Sequence, residues 1–564
     1  MLTAAQESAI SIPGHVMIAA CPGSGKTTVL RHRANHILMQ SPRHRIAAVT
    51  FTVQAARELS ERIASTVTSA KGRVQAGTFH SLCLNQLRQA GQHPQILPEN
   101  HARQLVHRAT KEIDSSIKVA EAQAFIDRTK ACISPSLASA PVPYREIYQR
   151  YEELRSDRGS MDFSDLVREA VLGMREGRVR PLSVTHLLVD EFQDSDEVQL
   201  AWVLEHSRLG VQVSVVGDDD QCIFAFRSAL GYQALHRFKE ATGAHQVTLD
   251  TTHRCAGKIV EHSGALIAHN SERLSKSLTT SNREDGSVQL LVGKDLVHEA
   301  AMIVDRIRAS RQPERTVAIL ARSNHLLDGV EAALLGAAVP YVRIGGQSLF
   351  ETRSAALLTG LLRAIIGESL LGIDHALSEA KVPTGVVDLV HGHVSRHGGS
   401  ALALGNYSGP GHPALDNLRE RIAPLTSQAA ANRSNLVIYG IEAWLNAHVF
   451  KSKPCPVLPH CVKALVSLSG SLAQRIRAAE LSEKKHDPDA VRIMTLHASK
   501  GLEFDDVWIY AANQGALPHE SSLIEEERRL FYVGMTRARS NLVVTCTAGV
   551  QSVFIPEAKL ATSL

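Results

Sequence analysis

His15-Val16-Met17-Ile18-Ala19 runs into Ala20-Cys21-Pro22-Gly23-Ser24-Gly25-Lys26-Thr27, an apolar strand followed by a glycine-rich turn and a Lys-Thr pair. Small residues in such a turn let backbone N–H groups face oxyanions, and a helix starting there points its positive end at the same place. This is the chemistry of a phosphate cradle. Lys26 is placed to reach the β- and γ-phosphates of a nucleotide and Thr27 to offer a hydroxyl to Mg2+. Ala20 stands where a glycine usually opens the turn.

Far downstream, Val189-Asp190-Glu191-Phe192-Gln193-Asp194 sets an acidic pair at the end of another apolar strand. Mg2+ prefers carboxylate and phosphate oxygens, so Asp190 is the metal-side carboxylate and Glu191 the group that orients and deprotonates an attacking water. An Asp-Glu pair at a strand end is otherwise a solvated turn. The cradle upstream favours the chemical reading.

At 564 residues the chain exceeds what one core supports, so several domains are expected. Sixty-one Lys plus Arg against 57 Asp plus Glu is near balance, which makes any nucleic-acid footprint a local patch. The eight cysteines are scattered, and Cys21 and Cys222 lie inside motifs that would not tolerate a staple, as in a reducing interior. Cys455, His460 and Cys461 resemble half a zinc site, but no second half follows, and packed thiols are the expected outcome. No apolar run reaches a membrane span and no export signal opens the chain, so a cytoplasmic protein without a membrane partner is expected.

Apolar strands alternate with amphipathic stretches, the pattern of parallel-sheet α/β domains. Residues 46–50, 187–189 and 211–216 continue the sheet begun at His15; a second set falls at 288–292, 317–320, 491–496, 507–511 and 542–546. The expected division is a first sheet domain over 1–89 and 182–255 with a helical insertion at 90–181. A second sheet domain is expected over 256–366 and 488–564, with a helical insertion at 367–487.

The ordered motifs resemble superfamily 1A DNA helicases of the UvrD/Rep type over nearly the whole chain. Leu2-Thr3-Ala4-Ala5-Gln6 is similar to that family's Q motif; Thr50-Phe51-Thr52 and Gly77-Thr78-Phe79-His80-Ser81 match two segments that lie against DNA. Gly217-Asp218-Asp219-Asp220-Gln221, Thr252-His253-Arg254, Thr495 to Phe504 and Tyr532 to Ala538 match later ones. The resemblance implies two RecA-like P-loop domains and ATP with Mg2+ as cofactors. It implies a nucleotide site of Gln6, Cys21, Pro22, Gly23, Ser24, Gly25, Lys26, Thr27, Thr28, His253, Arg254, Glu503 and Arg537. Gln6 would read the adenine edge and Gln221 would sense the γ-phosphate. Arg254 and Arg537 would bring positive charge to it from the second domain.

For single-stranded DNA, stacking platforms and backbone contacts are needed. Phe224 and Phe226, followed by Arg227, are so placed, with Phe79 as a third platform; phenylalanines at i and i+2 can also be one packed and one exposed face of a strand. Thr52, Thr78, His80, Arg322 and His497 are the other DNA-side candidates. Val53-Gln54 stands where an Asn-Lys pair is usual, and His253 where a tyrosine stacks on adenine. The second insertion reads as shortened, and the C-terminal tail of some relatives is not expected. The expected activity is an ATP-dependent translocase on single-stranded DNA that unwinds duplex DNA 3′ to 5′ in repair, replication or recombination. The alternatives are a motor working with a nuclease or other accessory protein, and a non-hydrolysing DNA-binding scaffold.

Overall fold

The protein is described by a computed structural model covering residues 2–66, 72–135, 137–481, 487 and 489–561. The chain divides into two compact units, Met1–Asp285 with Leu523–Tyr532, and Gly286–Ser522 with Val533–Leu564. Each is built on a six-stranded sheet whose strands all run parallel.

In the first unit the strand order is Val74–Thr78, Ile46–Thr50, His186–Val189, Gln212–Gly217, Val16–Ala20, His245–Leu249. Strands Val16–Ala20, Ile46–Thr50 and His186–Val189 are buried along their whole length, because helices cover both faces of a parallel sheet and demand apolar residues there. Alternate side chains feed two cores. Met17, Leu187 and Val189 pack with Phe192, Trp202 and Phe238 on one face; Val16 and Ile18 pack with Val29, Leu30 and Ile37 on the other. Because the strands are parallel, the segments after Ala20, Thr50, Thr78, Val189 and Gly217 all leave from one edge, where open α/β sheets bind ligands.

The helical insertion has a small core of its own, with Leu105, Val106, Ile126, Ile147 and Tyr151 at its centre. Its last helix, Phe163–Arg175, belongs instead to the sheet core, where Leu166, Val167 and Ala170 pack with Phe79 and Leu82. The expected boundary at 255 is corrected as well. Residues 256–285 belong to the first unit, since Thr279–Thr280 pairs with Thr251–Thr252 beside the phosphate turn.

In the second unit the order is Ser287–Gly293, Ala538–Thr547, Phe504–Ile509, Val317–Ala321, Val491–Thr495, Tyr341–Ile344. Here the helical segment shares one continuous core with the sheet. Ile319, Tyr341 and Ile493 belong to the same apolar cluster as Leu358, Leu415 and Trp444. That body begins earlier than expected, with helix Arg353–Ile365. Among the described residues no helix is long and apolar enough to cross a membrane.

Candidate functional site

The phosphate turn is shaped by two left-handed glycines. Gly23 and Gly25 have φ of 71° and 80°, where a side chain is strained. A Cβ at Gly23 would come within 2.6 Å of Arg254 Cβ, and one at Gly25 within 3.0 Å of Gln6 Nε2. Helix Lys26–Gln40 opens with Gly25 as its N-cap, with no side-chain cap and no acid in its first turn. Its first N–H groups are thus left for an anion.

Lys26 Nζ lies 3.0 Å from Glu191 Oε2, and the Thr27 hydroxyl lies 3.5 Å from Asp190 Oδ2. Burial pushes the Lys26 ammonium down, but Glu191, Asp218 and Asp190 outweigh it and hold it above its ordinary value. Burial, then the neighbouring Glu191 charge, lifts the Asp190 carboxyl to about 7 against the pull of Lys26. A hard cation would relieve that uncompensated carboxylate, so Thr27 and Asp190 fit Mg2+. Glu191 itself is a non-glycine residue at φ 50°, a conformation stored where surrounding structure enforces it.

Gln193, quoted within the acidic motif but given no role, turns out to bridge two motifs. Its Nε2 donates to Glu191 Oε2 at 2.7 Å, and its Oε1 accepts from the Asp218 N–H at 2.9 Å. Gln221 is 4% exposed and donates to Asp218 Oδ2 at 2.5 Å. Cys21 is buried, with its thiol pushed up to about 12 by burial and then by Asp218, so it packs rather than reacts.

Gln6 lies against the turn, donating to the Ser24 carbonyl at 2.9 Å, with the His253 ring 3.4 Å away. The His253 N–H donates to the Gly23 carbonyl at 2.9 Å. Arg254 therefore sits on the phosphate turn from within the first unit; its expected delivery from the second is corrected. Ser24 is buried in the turn, and Thr28 is exposed on the first helical turn.

On the DNA side, Phe79 is corrected. It is 2% exposed and packs edge-on against Trp202 at 5.6 Å and Phe51 at 5.8 Å, so it is a core residue. The exposed aromatic of that region is Phe51, which Phe79 backs. Thr78 caps helix Phe79–Gln89 through its hydroxyl, Thr52 is exposed, and His80 packs on Phe163 at 5.5 Å. Phe226 is 65% exposed and Phe224 half-buried, on a 3-10 turn rather than a strand. The Arg227 guanidinium lies 5.7 Å from the Phe224 ring centre and 5.6 Å from that of Phe226.

In the second unit, Arg322 and His497 follow the ends of the neighbouring strands Val317–Ala321 and Val491–Thr495. Arg537 is buried, donating to the carbonyls of Val533 and Leu502 at 3.0 and 3.1 Å. Glu503 is exposed and pairs with Arg539 at 2.5 Å. Cys461 is buried with its thiol directed at the Leu349 carbonyl, and Cys455 contacts the Ser354 hydroxyl. Among the described residues they join no metal-binding group.

Residues 2–241 match the UvrD/REP helicase N-terminal domain family, and residues 247–369 with 464–549 match the UvrD-like helicase C-terminal domain family. The stretch between the two parts of the second match, 370–463, lies within the helical body of the second unit. The chain is 30% identical to DNA helicase II of Salmonella typhimurium, over 96% of this chain and 83% of that protein. It is 27% identical to ATP-dependent DNA helicase Rep of Escherichia coli, over 96% and 90%. To ATP-dependent DNA helicase PcrA of Leuconostoc citreum it is 26% identical, over 96% and 81%. A phosphate turn facing an Asp-Glu pair on a parallel sheet, with these matches along nearly its whole length, makes the chain a member of the UvrD/Rep family of DNA helicases.

Proposed function

We propose that the chain hydrolyses ATP with Mg2+ to translocate along single-stranded DNA and to unwind duplex DNA with 3′ to 5′ polarity. The observation that carries this is the Lys26–Glu191 pair beside Thr27 and Asp190. A γ-phosphate arriving at the turn competes for Lys26 and releases Glu191, which Gln193 still holds by one hydrogen bond. Glu191 then accepts the proton of the attacking water. Thr27 and Asp190 would hold Mg2+, which when bound would neutralise charge on the phosphates. Arg254, seated on the turn, adds positive charge as phosphate charge develops; Arg537 and Glu503 keep the roles the family implies.

Phe226, Phe224 and Phe51 serve as base platforms, with Arg227, Thr52, Thr78, His80, Arg322 and His497 as backbone-side groups. Stacking tolerates every base, which suits a motor that must pass over any sequence. A scaffold would not need an ion pair that a phosphate can exchange. The proposed polarity rests on the family resemblance alone, and a strand-displacement assay tests it with 3′-tailed, 5′-tailed and forked duplexes. Displacement of the 3′-tailed and forked duplexes is expected; displacement of the 5′-tailed duplex alone contradicts the assignment.

A further inference from the structure

Asp218, Asp219 and Asp220, which follow strand Gln212–Gly217, have side chains with no exposed surface. Their counter-charge comes from residues 270–276, a strap outside helix and strand that no motif in the sequence singles out. Lys276 Nζ lies 2.7 Å from Asp218, 2.7 Å from Asp219 and 2.8 Å from Asp220. Arg273 grips Asp220 with two N–H groups at 2.9 and 2.8 Å. The backbone N–H of Leu274 donates to Asp219 at 2.6 Å. Ionised groups survive such burial only when fully paired and hydrogen-bonded, so strap and aspartates form one built object.

Asp218 is where this object meets the chemistry. Its carboxylate holds Gln221, and its N–H holds the Gln193 amide that binds Glu191. Lys276 also donates to the Ala20 carbonyl at 3.4 Å, at the mouth of the phosphate turn. An amide can serve Glu191 and the Asp218 N–H together in one orientation only, with its NH2 toward Glu191. A displaced Asp218 therefore displaces both. The strap is fastened at its other end to helix Ile524–Met535, where Asn270 donates to the Glu525 carbonyl at 3.0 Å and accepts from Arg528 at 2.6 Å.

We propose that Lys276 is a positioning residue for ATP hydrolysis: through Asp218 it fixes Gln221 and, by way of Gln193, Glu191 against the phosphate turn. This deepens the function proposed above and rests on Glu191 acting as the base.

Removing the lysine alone would leave three buried carboxylates facing one arginine, which destabilises the site whatever its role. The test is therefore the charge-balanced double variant Lys276→Met/Asp219→Asn in the full chain, with Asp219→Asn as control. Melting temperature is read beside kcat and KM for ATP at saturating single-stranded DNA. Misplacing a catalytic group by about an ångström costs on the order of 10²-fold. The double variant should fold, with kcat lower than the control by that order and KM for ATP within about threefold, the signature of a lost transition-state interaction. An unfolded double variant, or a folded one with kcat within about threefold of the control, overturns the assignment. Glu191→Gln, measured alongside, separates the two readings. Turnover retained there refutes the base; turnover lost there but kept in the double variant refutes the positioning role alone.

Discussion

In the first unit, strand Val16–Ala20 runs into a turn with two left-handed glycines and a Lys-Thr pair; in the second, strand Val317–Ala321 runs into Arg322-Ser323 and helix Asn324–Gly336. Two acids differ in the same sense. Glu331 of the second unit is closed in by Tyr341, Ser348, Leu349 and Arg343, all of them donors to its carboxylate. Glu191 of the first is 34% exposed and pairs with a lysine that a phosphate can take from it. Two sheets of one plan thus differ in whether their charges are exchangeable. The closed network props a strand edge, while the open one is the pair to which the proposed function assigns the chemistry.

The largest effects should come from opening that exchangeable pair. Lys26→Ala should abolish hydrolysis by weakening nucleotide binding, whereas Glu191→Gln should bind ATP and lose about 10² to 10⁴ in turnover. Equilibrium nucleotide binding and steady-state ATPase separate the two, and near-normal turnover in Glu191→Gln would refute the base.

A second contrast lies between two aromatic positions. Phe79→Ala should cost about 3 to 5 kcal/mol of stability, as for a core phenylalanine. Phe226→Ala should leave the melting temperature nearly unchanged and weaken single-stranded DNA binding by about 1 to 3 kcal/mol. Thermal unfolding beside DNA titration checks both, and a large stability loss in Phe226→Ala would return that ring to the core.

The smallest effect belongs to the second sheet. Arg322→Ala should weaken DNA binding alike on all sequences and lower the salt slope of log K by about 1, the share of a single phosphate contact. A sequence-dependent loss would make Arg322 a base reader instead.

The inner strands were legible because burial on both faces leaves continuous apolar runs such as Val-Met-Ile-Ala-Ala at 16–20. Val74–Thr78, His245–Leu249 and Tyr341–Ile344 escaped notice, and all three are sheet edges. These edge strands keep polar and half-exposed positions, as in Val-Gln-Ala-Gly-Thr, and lose the run that announces a strand, whereas the edge strand Ser287–Gly293 keeps Val-Gln-Leu-Leu-Val and was legible. In the site, Lys26, Thr27, Asp190 and Glu191 stood out because phosphate chemistry fixes their spacing. Phe79 misled because a ring inside a DNA-side motif can face inward, which only packing against Trp202 reveals. Gln193 carried no signal beyond its motif, and Lys276 none at all, since pairing across a fold leaves no local pattern.

In the proposed function, the exchangeable pair of the first unit is an engine answering to DNA. Its most direct test is the steady-state ATPase rate of the full chain with and without single-stranded DNA, across a salt series. Strong stimulation that fades as salt rises is expected, because phosphate contacts release counterions. A rate indifferent to DNA at every salt concentration would contradict it.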